Sequence, residues 1–391
     1  MPISKTFKLP HFMKNLLERR SFLKATAAIG SALGLPFVSK ANNNSIEAQI
    51  ARSNEVPKAV GKSVIGLKSA PIAQVRVAFI GVGNRGSGHV KLVHACGAKA
   101  KIVAVCDIQE RYTNRTKQWL ESKGVNDVVY YHTKVDAWKE MCRRDDIDLV
   151  IIATPWEDHV PMCVYAMQQG KHAATEVPAA YTLEDCWKLV NTAEQTQKNC
   201  MMLENVCYGD EELWLLNMAH QGLFGTLTYA ESGYIHDLRE MLFSKTDYYN
   251  MWRIRHNFAR DGNLYPMHGL GPVSQYMSID RGDRFNHLVS MSSLEASLSE
   301  DSGTMTDPTN EFHNRKGFKK GDMNNTLIKT HLGRSILVQH DIVTARPYSR
   351  INMLAGTKAF HMGYPSHFSK KGQGHGFLKD EEYRALREQY K

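Results

Sequence analysis

Val75-Arg76-Val77-Ala78-Phe79-Ile80-Gly81-Val82-Gly83-Asn84-Arg85-Gly86 decides the fold. An apolar run ends in glycines spaced as G-x-G-x-x-G, and Ser87 to Leu92 reads as the start of a helix. Without side chains at Gly81, Gly83 and Gly86, backbone N–H groups can reach a pyrophosphate at the helix N-terminus. The next apolar run, Lys101 to Cys106, ends in Asp107, 24 residues after Gly83. A carboxylate there accepts hydrogen bonds from ribose hydroxyls and repels a 2'-phosphate, so the pattern predicts NAD rather than NADP. The plainer reading is a packing turn and an Asp that caps the following helix.

Outward from this unit the same alternation repeats. Val128 to Tyr131, Ile147 to Ala153, His172 to Thr175 and Met201 to Glu204 read as further strands with helical stretches between them. Strands this apolar, alternating with helices, imply a parallel sheet covered on both faces. The fourth strand runs into Thr154-Pro155-Trp156-Glu157-Asp158-His159 at the carboxyl edge, where doubly wound sheets bind ligands. Trp156 and His159 there either line the cofactor or pack and cap a helix. The fifth strand ends at Glu176-Val177-Pro178 and the sixth at Glu204-Asn205.

After Asn205 the strands become longer and more alternating: Thr226 to Ile235, His287 to Leu294, Thr326 to Leu332, Ile336 to Asp341 and Ile351 to Phe360. Helices are expected only over Glu211 to His220 and near Gly271 to Met277. The fold class is therefore α/β: an N-terminal Rossmann doubly wound parallel sheet, then a C-terminal α+β domain with an open, largely antiparallel sheet. The expected boundaries are 75–204 for the first domain and 205–391 for the second. The segment from Gly233 to His268 is expected to close over the first domain's ligand, and the exposed sheet face favours a homo-oligomer.

The N-terminus is a separate matter. Residues 1–40 carry seven basic side chains against Glu18 alone, so they hold most of the net charge of +9. The body is near neutral, which gives little electrostatic reason for a nucleic-acid partner. Arg19-Arg20-Ser21-Phe22-Leu23-Lys24, the Ala- and Gly-rich run Ala25 to Val38 and Ser39-Lys40-Ala41 have the form of a twin-arginine export leader. Residues 1–41 are expected to be that leader, with the twin-arginine translocase as partner and the periplasm or exterior as destination. Residues 42–74 are expected to be a linker and packing arm. Seven cysteines show no CxxC spacing and no metal site is expected; His361, His367 and His375 read as surface.

These residues resemble the glucose-fructose oxidoreductase family of two-domain sugar dehydrogenases. That family usually ends its fifth strand in Glu-Lys-Pro, with the Lys as acid/base, and this chain has Val177 instead. Glu176-Val177-Pro178, Trp156 to His159, Gly233-Tyr234-Ile235-His236-Asp237-Leu238-Arg239 and Asn263-Leu264-Tyr265-Pro266-Met267-His268-Gly269-Leu270-Gly271-Pro272 are similar to one branch, glycoside hydrolase family 109. The resemblance implies an NAD-dependent α-N-acetylgalactosaminidase. It places NAD contacts at Asn84, Arg85, Asp107, Trp156, His159, Glu176, Val177 and Asn205, and substrate contacts at Tyr234, Arg253, Tyr265, Pro266, Met267, His268 and Tyr348. Met267 stands where that family usually has Thr. Glu381 to Tyr390 reads as a charged helix that stops where members usually continue, so the second domain is expected to be incomplete.

Most glycosidases place two carboxylates across the scissile bond. The candidate sugar contacts here are Tyr, Arg and His, which suits the NAD-dependent, redox-neutral exception. Tyr265 and His268 are the expected acid/base pair, set in a loop by the flanking glycines and the Tyr-Pro turn. Arg253 is expected to stabilise charge or grip the acetamido carbonyl. The alternatives are an NAD-dependent sugar or inositol dehydrogenase, which Val177 opposes, and a truncated NAD-binding homologue without turnover.

Overall fold

The computed structural model describes residues 56–391. The expected leader over 1–41, and residues 42–55 of the expected arm, lie outside the described residues. The chain divides into Met1–Lys58 and Ala59–Lys391, and the architecture below belongs to the second unit.

β1 (Val75–Ile80), β2 (Ala100–Cys106), β3 (Val129–Tyr131), β4 (Leu149–Ile152), β5 (His172–Thr175) and β6 (Cys200–Met202) form one parallel sheet in the order β3-β2-β1-β4-β5-β6. The helices between them are α1 (Asn84–Ala95), α2 (Glu110–Glu121), α3 (Ala137–Cys142), α4 (Trp156–Gln168) and α5 (Leu183–Thr196). Alternate residues of β1 serve opposite faces: Val77 and Phe79 join one buried cluster, Ala78 and Ile80 the other. Both faces are thus covered, and the strand order reverses between β1 and β4 to open a crevice at the carboxyl edge. The described part of the arm packs on this domain. Val64 joins one of its cores, and the Gln197 side chain donates to Lys62 O at 2.6 Å.

A second, seven-stranded sheet has the order β13-β12-β11-β7-β10-β9-β8. Its strands are β7 (Leu227–Ile235), β8 (Phe285–Ser292), β9 (Asn324–Thr330), β10 (Ser335–Asp341), β11 (Met353–Gly356), β12 (Ala359–Met362) and β13 (His367–Lys370). Every pairing is antiparallel except β7 with β10. One face packs on α6 (Asp210–His220) and α9 (Met267–Tyr276) through Trp214, Leu215, Met218, Val273 and Tyr276. The other face is open: β9 alternates between buried and exposed residues, and outer β8 exposes Val289 and Met291 on that side.

Several expectations need correcting. The run Ile351 to Phe360 is not one strand but β11, a turn at Thr357-Lys358 and the start of β12, and β13 was not anticipated. His361 is buried rather than superficial, lying 3.0 Å from Glu211 Oε1 and 2.9 Å from Asn352 O. His268 stands in the first turn of α9, not in a loop. The glycines that suggested a loop are there for close approach. A Cβ on Gly269 would sit 2.6 Å from Gly233 N, so only glycine lets α9 lie against β7.

Candidate functional site

One cavity of about 650 Å³ runs from the glycine-rich turn to α9. Its nucleotide end is built from backbone. Gly81 has φ +82°, and a Cβ there would meet Ala153 O at 2.7 Å; a Cβ on Gly86 would fall 1.9 Å from Gly81 O. These positions exclude side chains, and α1 begins at Asn84 without a side-chain cap, leaving its first N–H groups for an anion. Asp107 is buried at the end of β2, where Val82 N–H donates to Oδ2 at 2.9 Å and Gln109 N–H to Oδ1 at 2.8 Å. Burial raises its carboxyl above the usual range despite those bonds. Asp107 thus braces the turn and the following helix, and it also faces the cavity. Arg115, which the sequence did not single out, donates to Val82 O at 2.9 Å and Gly83 O at 2.7 Å. The cradle and the carboxylate fit a dinucleotide with a free 2'-hydroxyl.

At the middle of the cavity, β5 presents Glu176. Its Oε1 lies 2.7 Å from Arg85 Nε and 2.6 Å from His89 Nε2, joining the glycine turn to the end of β5. Burial opposes ionisation, but the bonds from His89 and Arg85 outweigh it and bring the carboxyl down to about 2 from an ordinary 4.5. A depressed folded-state value stabilises the fold above the unfolded value, and the gain is lost as pH falls through the folded one. The stability difference between the native protein and Glu176→Gln should therefore be constant above pH 4.5 and shrink between there and about 2. Its full size is on the order of 3 kcal/mol, and denaturant titrations across that window measure it. A difference that does not change with pH would refute the pairing.

Trp156 opens α4 and lines the cavity. His159 is buried, with Nδ1 2.7 Å from Pro178 O and Nε2 2.9 Å from Thr154 O. Both nitrogens lie against backbone carbonyls beyond the ends of β4 and β5, and the residue also lines the cavity. Burial lowers its pKa, and a neutral ring donates to only one of the two carbonyls. Val177 is buried at the position of the dehydrogenase lysine, and Asn205 lines the cavity beside it.

The far end is aromatic. Between β7 and α9 lie the short helix α7 (Arg239–Phe243) and α8 (Trp252–Ala259), and Tyr248, Trp252 and Arg253 from this stretch line the cavity. The Arg253 guanidinium is buried, 4.9 Å from the Tyr265 ring centre, 5.3 Å from Tyr248 and 5.4 Å from Trp156. Nη1 donates to the Tyr248 hydroxyl at 2.8 Å, while Nε and Nη2 have no partner. Two buried donors among aromatic rings are thus left without a hydrogen-bond partner at a residue that lines the cavity. The stretch Trp252 to His256 is therefore mostly turned into the protein. His256 stacks 4.8 Å from Trp156, and only exposed Arg255 turns outward, to Glu311.

Tyr265 and His268 come together here, ring centres 5.0 Å apart. Burial raises the Tyr265 phenol well above its ordinary value, and nearby Arg253 offsets only part of that, so the group stands as a neutral donor. His268 Nδ1 is 2.7 Å from Glu204 Oε1. Tyr234 is buried behind the pair, 4.8 Å from Tyr265 and 5.0 Å from His268. It braces them and, like Pro266, Met267 and half-exposed Tyr348, does not line the cavity. His236, not anticipated, lies 4.7 Å from Tyr234 and 5.3 Å from Tyr348, with a buried Nε2 that lacks a partner. Burial, then Arg253 and His268, push its pKa down to about 4.

Comparison with known proteins agrees with this division of labour. Residues 75–204 match the family described as "Oxidoreductase family, NAD-binding Rossmann fold", and residues 208–390 match "Glycosyl hydrolase 109, C-terminal domain". The chain is 46% identical over 362 residues to a glycosyl hydrolase family 109 protein of Shewanella pealeana, covering 92% of this chain and 76% of the relative. It is 45% identical over 369 residues to the alpha-N-acetylgalactosaminidase of Shewanella oneidensis, with the same coverage of 92% and 76%. Among solved structures, an NAD binding oxidoreductase from Klebsiella pneumoniae superposes with a TM-score of 0.60 at 15% identity, covering 78% of this chain and 79% of that one. An inositol dehydrogenase homolog complexed with NAD+ from Azotobacter vinelandii gives 0.59 at 19% identity, covering 80% and 77%. The two structures share the fold, and the sequence relatives share the family: the chain belongs to glycosyl hydrolase family 109, and is an NAD-dependent glycosidase built on a Rossmann domain.

Proposed function

We propose that the chain removes terminal α-linked N-acetylgalactosamine from glycans by a redox-neutral cycle. The observation that carries the reading is the composition of the far end of the cavity: an imidazole, phenols and a buried guanidinium with free donors, continuous with a dinucleotide cradle. The name of the Shewanella oneidensis relative supports the sugar. In the cycle the sugar is oxidised at C3, which acidifies its C2 proton; it then loses that proton and its C1 substituent, takes up water and is reduced again. NAD, when bound, supplies a hydride acceptor that is regenerated within each turnover.

The chain's own residues supply the rest. His268, held against Glu204 at the cavity wall, accepts and returns a proton. Tyr265, held neutral by burial, donates a hydrogen bond to the oxygen that becomes ketone and enolate. Arg253 presents Nε and Nη2 to a substrate oxygen, either the acetamido carbonyl or the developing enolate. Val177 cannot relay a proton, which opposes a plain dehydrogenase. The test is incubation of the NAD-loaded protein with a chromogenic α-N-acetylgalactosaminide. Release of the aglycone without accumulation of NADH is expected, whereas stoichiometric NADH from a free sugar would establish the dehydrogenase reading instead.

The Arg19 to Lys24 motif supports export by the twin-arginine route to the periplasm or exterior. Replacement of Arg19 and Arg20 by Lys should strand the protein in the cytoplasm on fractionation; unchanged export would exclude this route.

A further inference from the structure

Glu204 immediately follows the strand region of β6 in the first domain, and His268 opens α9 in the second, yet their side chains meet. Nδ1 of His268 lies 2.7 Å from Oε1 and 3.0 Å from Oε2 of Glu204. The carboxylate is buried, and its other bond is from Val206 N–H to Oε1 at 3.0 Å. Among the described residues, His268 is its only ion-pair partner. Space for it is made from the other side: Gly271 is one helical turn on from His268, and a Cβ there would stand 3.2 Å from Glu204 Cγ and 2.9 Å from Cys207 Sγ. The glycine inside α9 thus admits the carboxylate to the back of the imidazole.

We infer that Glu204 is the positioning residue of His268. This rests on the reading of His268 as the proton acceptor. An ionised carboxylate only accepts hydrogen bonds, so its partner nitrogen must carry the proton. Glu204 therefore holds the neutral ring with hydrogen on Nδ1, leaving the Nε2 lone pair for substrate. When a substrate proton moves to Nε2, the electron pair of the broken bond stays on the sugar, the Nδ1 proton stays in place, and the buried carboxylate balances the imidazolium charge. The dyad is complete only where the two domains meet, which links base orientation to their docking.

Glu204→Gln and Glu204→Asp, both loaded with NAD and labelled with 15N-histidine, test this. The His268 signals are assigned by their loss in His268→Gln. In the native protein the neutral ring is expected to show Nδ1 protonated and Nε2 bare. With the Gln oxygen kept at Oε1 by Val206 N–H, its amide stands at the Oε2 place 3.0 Å from Nδ1, so Glu204→Gln should weaken the preference for hydrogen on Nδ1 and shift the ring towards the Nε2–H tautomer. Its kcat should fall about 10²- to 10⁴-fold, with NAD content unchanged and KM moved less than about threefold. Glu204→Asp should restore the native tautomer and part of kcat. A native ring with hydrogen on Nε2, or a Glu204→Gln protein with native tautomer and native kcat, overturns the assignment. The tautomer needs no substrate to be read, so it decides the dyad even if the sugar specificity proposed above fails.

Discussion

His268→Ala is expected to lower kcat for aglycone release by about 10²- to 10⁴-fold, the usual worth of a positioned proton-transfer group. NAD should remain bound, because the dinucleotide end of the cavity is made by the glycine turn, Asp107 and Glu176, on strands that the substitution does not touch. Steady-state kinetics with bound NAD measured spectroscopically separate the two. A variant with native kcat would remove His268 from the chemistry and leave the site without an imidazole at the cavity wall beside Tyr265.

Arg253→Met is expected to move stability and activity in opposite directions. The guanidinium is buried, its ion-pair partners are absent among the described residues, and two of its nitrogens have no hydrogen-bond partner. The surrounding rings return part of the desolvation cost through cation–π contacts, but unmet buried donors on a charged group remain expensive. A volume-matched apolar side chain removes that cost, so the ligand-free protein should gain about 1 to 3 kcal/mol in denaturant unfolding. Substrate loses its receptor, and kcat/KM should fall by about 10²-fold or more. A variant less stable than the native protein would show the guanidinium to be a scaffold group rather than a receptor held ready for substrate.

The first domain was legible because its strands are uniformly apolar and end at glycines and an Asp that a nucleotide demands. Its observed strand ends differ from the expected ones by a residue or two. The second domain was legible in outline only. Alternation marked β7, β9 and β10, but the turn at Thr357-Lys358 that separates β11 from β12 lay inside one apolar stretch. The start of α9 was hidden because Gly269, Gly271 and Pro272 look like helix breakers. For the two glycines the reason is tertiary: a Cβ would stand 2.6 Å from Gly233 N at position 269, and 2.9 Å from Cys207 Sγ and 3.2 Å from Glu204 Cγ at position 271.

The site shows the same limit. Tyr265 and His268 stood in one recognisable segment, and their ring centres lie 5.0 Å apart. Arg253 was chosen by resemblance, but its cage is assembled from Trp156, Tyr248 and Tyr265 on three separate elements. Glu204 was visible only as a strand end, and its partner lies 64 residues away. Such a pairing leaves no local period to read. His159 shows the reverse case, a residue of the motif whose two nitrogens serve the backbone.

The central claim is that cleavage passes through oxidation of the sugar and loss of its C2 proton. The most direct measurement is hydrolysis of an α-N-acetylgalactosaminide by the NAD-loaded protein in heavy water, following deuterium at C2 of the released sugar. The account predicts deuterium at C2 in the product, with no net NADH. Release of sugar carrying only protium at C2 would contradict it and require direct displacement at C1.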